Sequence, residues 1–184
     1  MMRCPVCKRG RCEPEELCDG LEVVTCPACG GHWIPSGNYS AWLKEHGEGM
    51  PGGESAEIEI DVSDVHGAKV CPDCEKILLK YKVGHGLEFF IDHCPGCGSI
   101  WLDKGEWEAL QAKNLHDEIR RVLSAPWQRK LRDVDMREKV ERAYANWFGP
   151  DTYEEAKEIR RWLQDQPQRK AILAFLGDDD PYDV

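Results

Sequence analysis

Eight of the ten cysteines in this 184-residue chain stand in four C-x-x-C pairs: Cys4 with Cys7, Cys26 with Cys29, Cys71 with Cys74, and Cys94 with Cys97. Two thiolates separated by two residues can grip one ion from a tight turn, and two such pairs complete a tetrahedral site. The chain order groups them as Cys4, Cys7, Cys26, Cys29 and as Cys71, Cys74, Cys94, Cys97. The expected cofactor is therefore Zn2+, two ions, each structural. A zinc closed by four thiolates has no open position for water or substrate, so the expectation is a protein that is no enzyme, has no catalytic residue and takes no small-molecule substrate. His32 and His93 are the histidines nearest the pairs and read as ordinary strand residues. The chain shows neither an N-terminal apolar run nor a long apolar span, which points away from membranes and towards a reducing, cytoplasmic setting rather than a disulfide framework. A redox C-x-x-C pair would be expected alone near a βαβ pattern, which is absent.

The elements that must position these cysteines recur twice. In residues 1–46 the knuckle Cys4-Pro5-Val6-Cys7 leads to a strand around residues 11–17, a turn at Asp19-Gly20 and a return strand at 21–25. That hairpin delivers Cys26-Pro27-Ala28-Cys29, followed by a short strand His32-Trp33-Ile34 and a helix opened by Ser36 that carries Tyr39, Trp42 and Leu43. Residues 70–112 repeat the plan: a strand at 77–83, the turn Gly84-His85-Gly86, a strand at 87–92, the knuckle Cys94-Pro95-Gly96-Cys97, then Ile100-Trp101-Leu102. Cys71 falls on Cys4 at an offset of 67 and Cys94 on Cys26 at 68, after which Gly98 falls on Gly30 and Trp101 on Trp33. Cys12 falls on Leu79 in this alignment and reads as a small buried hydrophobe. Cys18, near the turn, reads as inert. Each unit closes only about forty residues, too few to hold together by burial alone, so metal and fold are one question.

Between the repeats, residues 47–69 carry six acidic residues against the single Lys69, with glycine and proline at 47, 49, 51, 52 and 53. This reads as an acidic linker in which the alternating 57–62 stretch would make an edge strand. Residues 113–184 lack cysteine and read as helical. One helix runs from the capping box Asp103/Glu106 to about Leu123, a second starts at Pro126, a third at Asp151 with Tyr153, Ile159, Trp162 and Leu163 facing inward, and a short fourth follows Pro167 before an acidic tail. The fold class is α+β: two small β-rich zinc ribbons plus a C-terminal helical region.

The pattern C-P-x-C, hairpin, C-P-x-C-G-x-x-W-L-D-x-G-E resembles the transcription-factor-IIB-type zinc ribbon family (zf-TFIIB). The second copy fits through Cys71, Pro72, Cys74, Cys94, Pro95, Cys97, Gly98, Trp101, Leu102, Asp103, Gly105 and Glu106. The first keeps Cys4, Pro5, Cys7, Cys26, Pro27, Cys29, Gly30, Gly31, Trp33 and Gly37, but has Pro35 and Asn38 where the acidic residues belong. The resemblance implies zinc binding strongly and transcriptional function weakly, because the family name records shape.

The formal charge of −10 opposes diffuse binding to a polyanion, and two tetrathiolate zinc sites would make it more negative. One basic concentration stands out: Arg120, Arg121, Arg129, Lys130, Arg132, Arg137, Lys139 and Arg142, interspersed with Asp133, Asp135, Glu138 and Glu141. Such a stretch could contact nucleic acid, but opposite charges three and four apart more often mark a solvated helix stitched by ion pairs. Trp33 and Trp101 could stack on bases, yet Trp101 is followed by Leu102-Asp103 rather than by basic residues, which favours packing over the thiolates. The leading expectation is a non-catalytic zinc protein acting as a protein-interaction adaptor, its first ribbon a mobile arm and its partner another protein. The alternative is a nucleic-acid-binding, transcription-associated ribbon. An enzyme or zinc carrier using Cys12, Cys18 or a histidine is the third.

Overall fold

A computed structural model describes residues 2–46, 62 and 67–183. The chain divides into two units, residues 1–131 and residues 132–184. The first holds both cysteine-rich repeats, which share one six-stranded antiparallel sheet in the order β1-β2-β3-β6-β5-β4. Its strands are β1 (Glu13–Glu16), β2 (Glu22–Thr25), β3 (His32–Ile34), β4 (Leu79–Gly84), β5 (Leu87–His93) and β6 (Ile100–Leu102). The seam between repeats is the β3–β6 pair, in the register His32 to Leu102, Trp33 to Trp101 and Ile34 to Ile100. The expected mobile first arm is therefore corrected. Its third strand has two neighbours, one from each repeat, and leaves no edge there for a partner.

Alternation of side chains across this sheet makes two cores. On one face Ile34, Ile100, Leu102, Val23, Ile91 and Phe89 pack against helix residues including Tyr39, Trp42, Trp107, Leu110 and Ile119. The helices that cover it are α1 (Ser36–His46), α2 (Glu106–Ala112) and α3 (Ile119–Val122). On the other face Trp33 and Trp101 pack with the buried cysteines, Cys12 and Leu78. The single helix expected from 103 to 123 is broken between α2 and α3, where Asn114 takes a left-handed φ of 55° and Leu115 and His116 turn inward. The Tyr39 hydroxyl donates to the His116 carbonyl at 2.8 Å and accepts from the Ile119 amide at 3.2 Å, which pins the break to the first repeat's helix.

Helix α4 (Ala125–Phe148) begins in the first unit, where its Trp127 Nε1 donates to the Val83 carbonyl at 3.0 Å and Gln128 Nε2 to that of Lys82 at 2.8 Å. These bonds occupy carbonyls of β4, the terminal strand of the sheet. The second unit comprises the rest of α4 with α5 (Pro150–Gln164) and α6 (Arg169–Leu176). Gly149, at φ 83°, separates α4 from α5, and Pro150 at the first helical position needs no amide partner. No residue of α4, α5 or α6 is buried. Ile159 and Trp162, expected to face inward, are 56% and 53% exposed. The 57–62 stretch read as an edge strand lies outside the described residues except for Val62, which packs against the helix-side core.

Candidate metal centres

Each repeat brings its four cysteine sulfurs within 4.8 Å of one another. In the first, Cys4 Sγ lies 3.6 Å from Cys29 Sγ and Cys7 Sγ 3.6 Å from Cys26 Sγ. In the second the matching separations are 3.6 Å for Cys71 and Cys97 and 3.3 Å for Cys74 and Cys94. Tetrahedral zinc with Zn–S bonds of about 2.3 Å sets its sulfurs roughly 3.8 Å apart, so both cages are close to the size the ion needs. All ten cysteines are free thiols, so the short separations are not disulfides. The turns also supply amides to the sulfurs: Val6 and Cys7 donate to Cys4 Sγ and Gly10 to Cys7 Sγ, each at 3.4 Å. Cys74 donates to Cys71 Sγ and Gly96 to Cys94 Sγ in the same way.

Without an ion the knuckle thiols of the two sites differ in how readily they give up a proton. Burial raises Cys4 and Cys29, and raises Cys71 to about 12, while the amides of Gly10 and Arg9 lower Cys7 to about 6. A divalent cation reverses this by stabilising every thiolate at once, so metal binding and closure of the knuckles are one event. No functional group of water or substrate can enter a cage whose four positions are filled by protein sulfur.

The knuckles are capped across the seam. Trp33 of the first repeat donates its Nε1 to Asp73 Oδ2, inside the second repeat's knuckle, at 3.1 Å. Reciprocally, the Trp101 ring lies so close over Gly31 of the first repeat that an added Cβ would overlap it. Ser36, expected as a simple helix cap, instead donates its hydroxyl to the Cys97 carbonyl at 2.8 Å, and Lys104 lies over Gly30. Both indoles are buried, at 1% and 0% exposure, so neither is a stacking platform in this fold.

Residues 3–45 and 70–113 each match the family model described as a transcription factor zinc-finger of the TFIIB zinc-ribbon type. The two segments are tandem copies of that zinc ribbon, followed by a helical extension. Comparison with curated proteins and with solved structures finds no match. The two ribbons hold two structural zinc sites, formed by Cys4, Cys7, Cys26, Cys29 and by Cys71, Cys74, Cys94, Cys97. The first copy's Pro35 stands where Asp103 does in the second. There Glu106 Oε2 accepts from the Asp103 amide at 2.8 Å, a bond that proline cannot make, and Asn38 in the first copy turns to the Glu22 carbonyl at 3.0 Å.

Two features of the ribbons escaped the sequence reading. Lys69, the lone cation at the end of the acidic stretch, is 3% exposed and sits between two carboxylates, donating to Asp92 Oδ2 and, at 2.7 Å, to Asp103 Oδ2. Asp103 also accepts from Trp101 Nε1 at 2.7 Å. Burial raises Asp92, with the Lys69 ammonium opposing it, and these two carboxylates hold Lys69 above its ordinary value despite its own burial. The repeat alignment puts Met2, Val24 and Pro35 at the three equivalent places in the first ribbon. One ribbon thus stabilises this corner with an ion triad and the other with hydrocarbon.

The second feature is the register of Cys12. The bridge Arg3 to Arg11 matches Val70 to Ile77, and Cys12 donates its amide to Met2 as Leu78 does to Lys69. Cys12 therefore corresponds to buried Leu78, not to Leu79, which is 46% exposed. Burial first, then Cys4 and Cys26, push its thiol up to about 12, and burial raises Cys18 to about 11.

The basic residues lie on α3 and α4. Arg120 donates to Ser40 Oγ, Arg121 pairs with Glu118 at 2.9 Å and lies over the Trp127 ring, and Arg142 Nε bonds the Glu138 carbonyl at 3.3 Å. Arg129, Lys130, Arg132, Arg137 and Lys139 lie on α4, where a 3.6-residue turn distributes them around the helix among Asp133, Asp135, Glu138 and Glu141. Among the described residues no helix is long and apolar enough to cross a membrane.

Proposed function

We propose that the protein is a non-catalytic adaptor that recognises another protein through its helical unit, with zinc fixing the ribbon body that carries it. The observation behind this reading is the surface of α4, α5 and α6. These helices bury no residue, while Trp147 is 76%, Trp162 53%, Phe148 47%, Ile159 56% and Leu176 60% exposed. Large exposed aromatics concentrated in one unit mark a surface that gains by being covered. In the ribbons the tryptophans Trp33, Trp42, Trp101 and Trp107 are all buried, which leaves the large exposed aromatics to the helical unit.

The test is capture from the native cell with the intact zinc-loaded chain, run beside a Trp147→Glu/Trp162→Glu variant. Partners retained by the native chain and lost by the variant, with zinc content and helicity unchanged, support the reading. Identical partners from both would sink it. Nucleic-acid binding is the competing reading. It is checked by titrating salt against duplex and single-stranded DNA and RNA, where binding that weakens steeply with salt and is lost on neutralising Arg129, Lys130 and Arg132 would replace the adaptor assignment.

A further inference from the structure

We infer that the groove between α4 and α5 is a self-association surface, filled by the same groove of a second copy of this chain. The groove has a volume of about 640 Å³ and lies wholly within the helical unit. Its apolar lining is Met136, Val140, Tyr144 and Phe148 from α4 with Tyr153 and Ala156 from α5. The α4 residues recur at intervals of four and so form one stripe along that helix. Around Gly149 the stripe is aromatic, with ring centroids 5.6 Å apart for Tyr144 and Phe148 and 6.1 Å apart for Tyr144 and Tyr153. Towards the other end Met136 is 60% and Val140 44% exposed, which leaves it open to solvent.

Charge selects the occupant. Residues 132–176 hold nine basic and nine acidic side chains, so this segment is neutral within a chain of formal charge −10. A neutral segment neither repels its own copy nor selects a strongly charged partner. The charges that line the groove are also sorted by wall. Asp133 and Glu141 stand on α4 with Arg137 between them, and Lys157 and Arg160 stand on α5, where Lys157 also pairs with Glu154 at 2.6 Å. A two-fold contact between identical chains requires a patch that complements itself. Laying α4 of one copy against α5 of the other sets Asp133 and Glu141 opposite Lys157 and Arg160 on both sides of the axis. A peptide of one charge sign would meet a like-charged wall on one side. Two such helix pairs with facing apolar stripes make a four-helix bundle, which supplies the core that these helices lack alone.

The groove is distinct from the aromatics of the adaptor reading, since neither Trp147 nor Trp162 lines it. Trp162 lies about two and a half turns beyond Tyr153, on the opposite side of α5. Pairing through the groove leaves Trp162 for recognition of another protein. The inference goes beyond the adaptor reading and does not depend on it.

The experiment is sedimentation equilibrium of the intact zinc-loaded chain from about 1 µM to about 1 mM, beside three variants. The native chain should pass from the monomer described above to twice the chain mass as concentration rises, and amide protection around Val140 and Arg160 should rise with it. Val140→Glu/Tyr144→Glu should stay monomeric throughout, with zinc content unchanged. Asp133→Lys/Glu141→Lys and Lys157→Glu/Arg160→Glu each give both walls the same net sign and should each weaken pairing about tenfold or more. Mixed one to one, these two chains should pair again, which guards against loss of helix in the glutamate variant. A native chain that is monomeric at every concentration would overturn the proposal. So would a dimer that Val140→Glu/Tyr144→Glu leaves intact, or charge variants that pair no better mixed than apart. A monomeric native chain whose captured partners are lost in Val140→Glu/Tyr144→Glu would give the groove to another protein, which also overturns it. The capture test on Trp147 and Trp162 keeps its meaning whichever mass is found.

Discussion

Trp33 and Trp101 occupy the same place in the two repeats and stand directly opposite each other across the β3–β6 seam, yet each serves the other repeat's knuckle. Trp33 bonds Asp73 of the second ribbon, and Trp101 covers Gly31 of the first. The tandem copies are therefore related as two halves of an exchange, each repeat packing its indole on the other's knuckle region. Closing the seam joins two units that are each too small for an independent core into one body with two faces.

This reciprocity makes a directional prediction for Trp33→Ala. Removing a fully buried indole should cost about 3–5 kcal/mol of stability. The distinctive outcome is its location: backbone amides around Asp73 and Cys74, in the ribbon that was not mutated, should lose hydrogen-exchange protection as strongly as those near residue 33. Stripping zinc with a strong chelator should likewise unfold both ribbons in one transition. Two separated transitions, or damage confined to the first ribbon, would contradict the seam.

Gly31→Ala probes the same contact from the other side. The added methyl meets the rigid Trp101 ring rather than the end of a flexible chain, so the backbone or the indole must shift. A loss of about 1–3 kcal/mol is expected, the range for overpacking a tight site, read from a urea midpoint at saturating zinc. Ala at Gly20, where an added Cβ meets nothing within 4 Å but φ is +83°, separates steric overlap from backbone strain.

The Lys69 triad offers a test by comparison with its apolar counterpart. Lys69→Met leaves Asp92 and Asp103 buried without their shared ammonium and should cost about 3–5 kcal/mol. Lys69→Met/Asp92→Val makes two of the three positions match Met2 and Val24 of the first ribbon, and should recover part of that loss. A thermal or urea series on wild type, single and double variants reads the recovery directly. If the double variant were as unstable as the two single losses added together, the equivalence of the two corners would fail.

What the sequence disclosed and what it hid divide by range. The knuckles, hairpins and helix α1 follow from short spacings, such as Cys-x-x-Cys, Asp19-Gly20 and Gly84-His85-Gly86, and all lie where that reading puts them. The β3–β6 seam could not be read this way. Each strand is three residues long, and partners such as Trp33 and Trp101 are joined by tertiary geometry alone. Lys69 did carry a signal, a single cation closing an acidic stretch, but only the fold shows the two carboxylates converging on it. The stripe on α5 misled for the opposite reason: a helix whose apolar stripe stays exposed has the same periodicity as one that turns it to its own core.

His116 should give the first unit a measurable acid sensitivity. It is buried against Trp42 and Trp107, at ring distances of 5.9 and 5.7 Å, and among the described residues its Nδ1 has no hydrogen-bond partner. Burial lowers its pKa below the ordinary 6.5, with Asp117 and Asp19 opposing. Above about pH 6.5 the ring is neutral both folded and unfolded, so its contribution is fully present. As pH falls below that value the unfolded chain binds a proton that the folded chain resists, and stability declines. His116→Phe keeps an aromatic ring and removes the titration, so the urea midpoint measured between about pH 7.5 and 5.5 should fall less steeply than in wild type. Equal slopes would show that the decline comes from other groups, the zinc thiolates first among them.

The helical unit should differ from the ribbons in how its stability is supplied. Isolated helices of 8 to 15 residues are marginal in water, and α5 and α6, of 15 and 8 residues, bury nothing within the described fold. Their amides should therefore exchange with protection factors far below those of β2, β3, β5 and β6, and zinc removal should abolish protection in the strands while changing it little in α5 and α6. Binding of the captured partner should reverse the order, raising protection along α5 around Ile159 and Trp162 with no change at the cages. Strong protection of α5 and α6 in the free monomer would instead require a core that these exposed side chains do not form, and would remove the physical reason for assigning them to recognition.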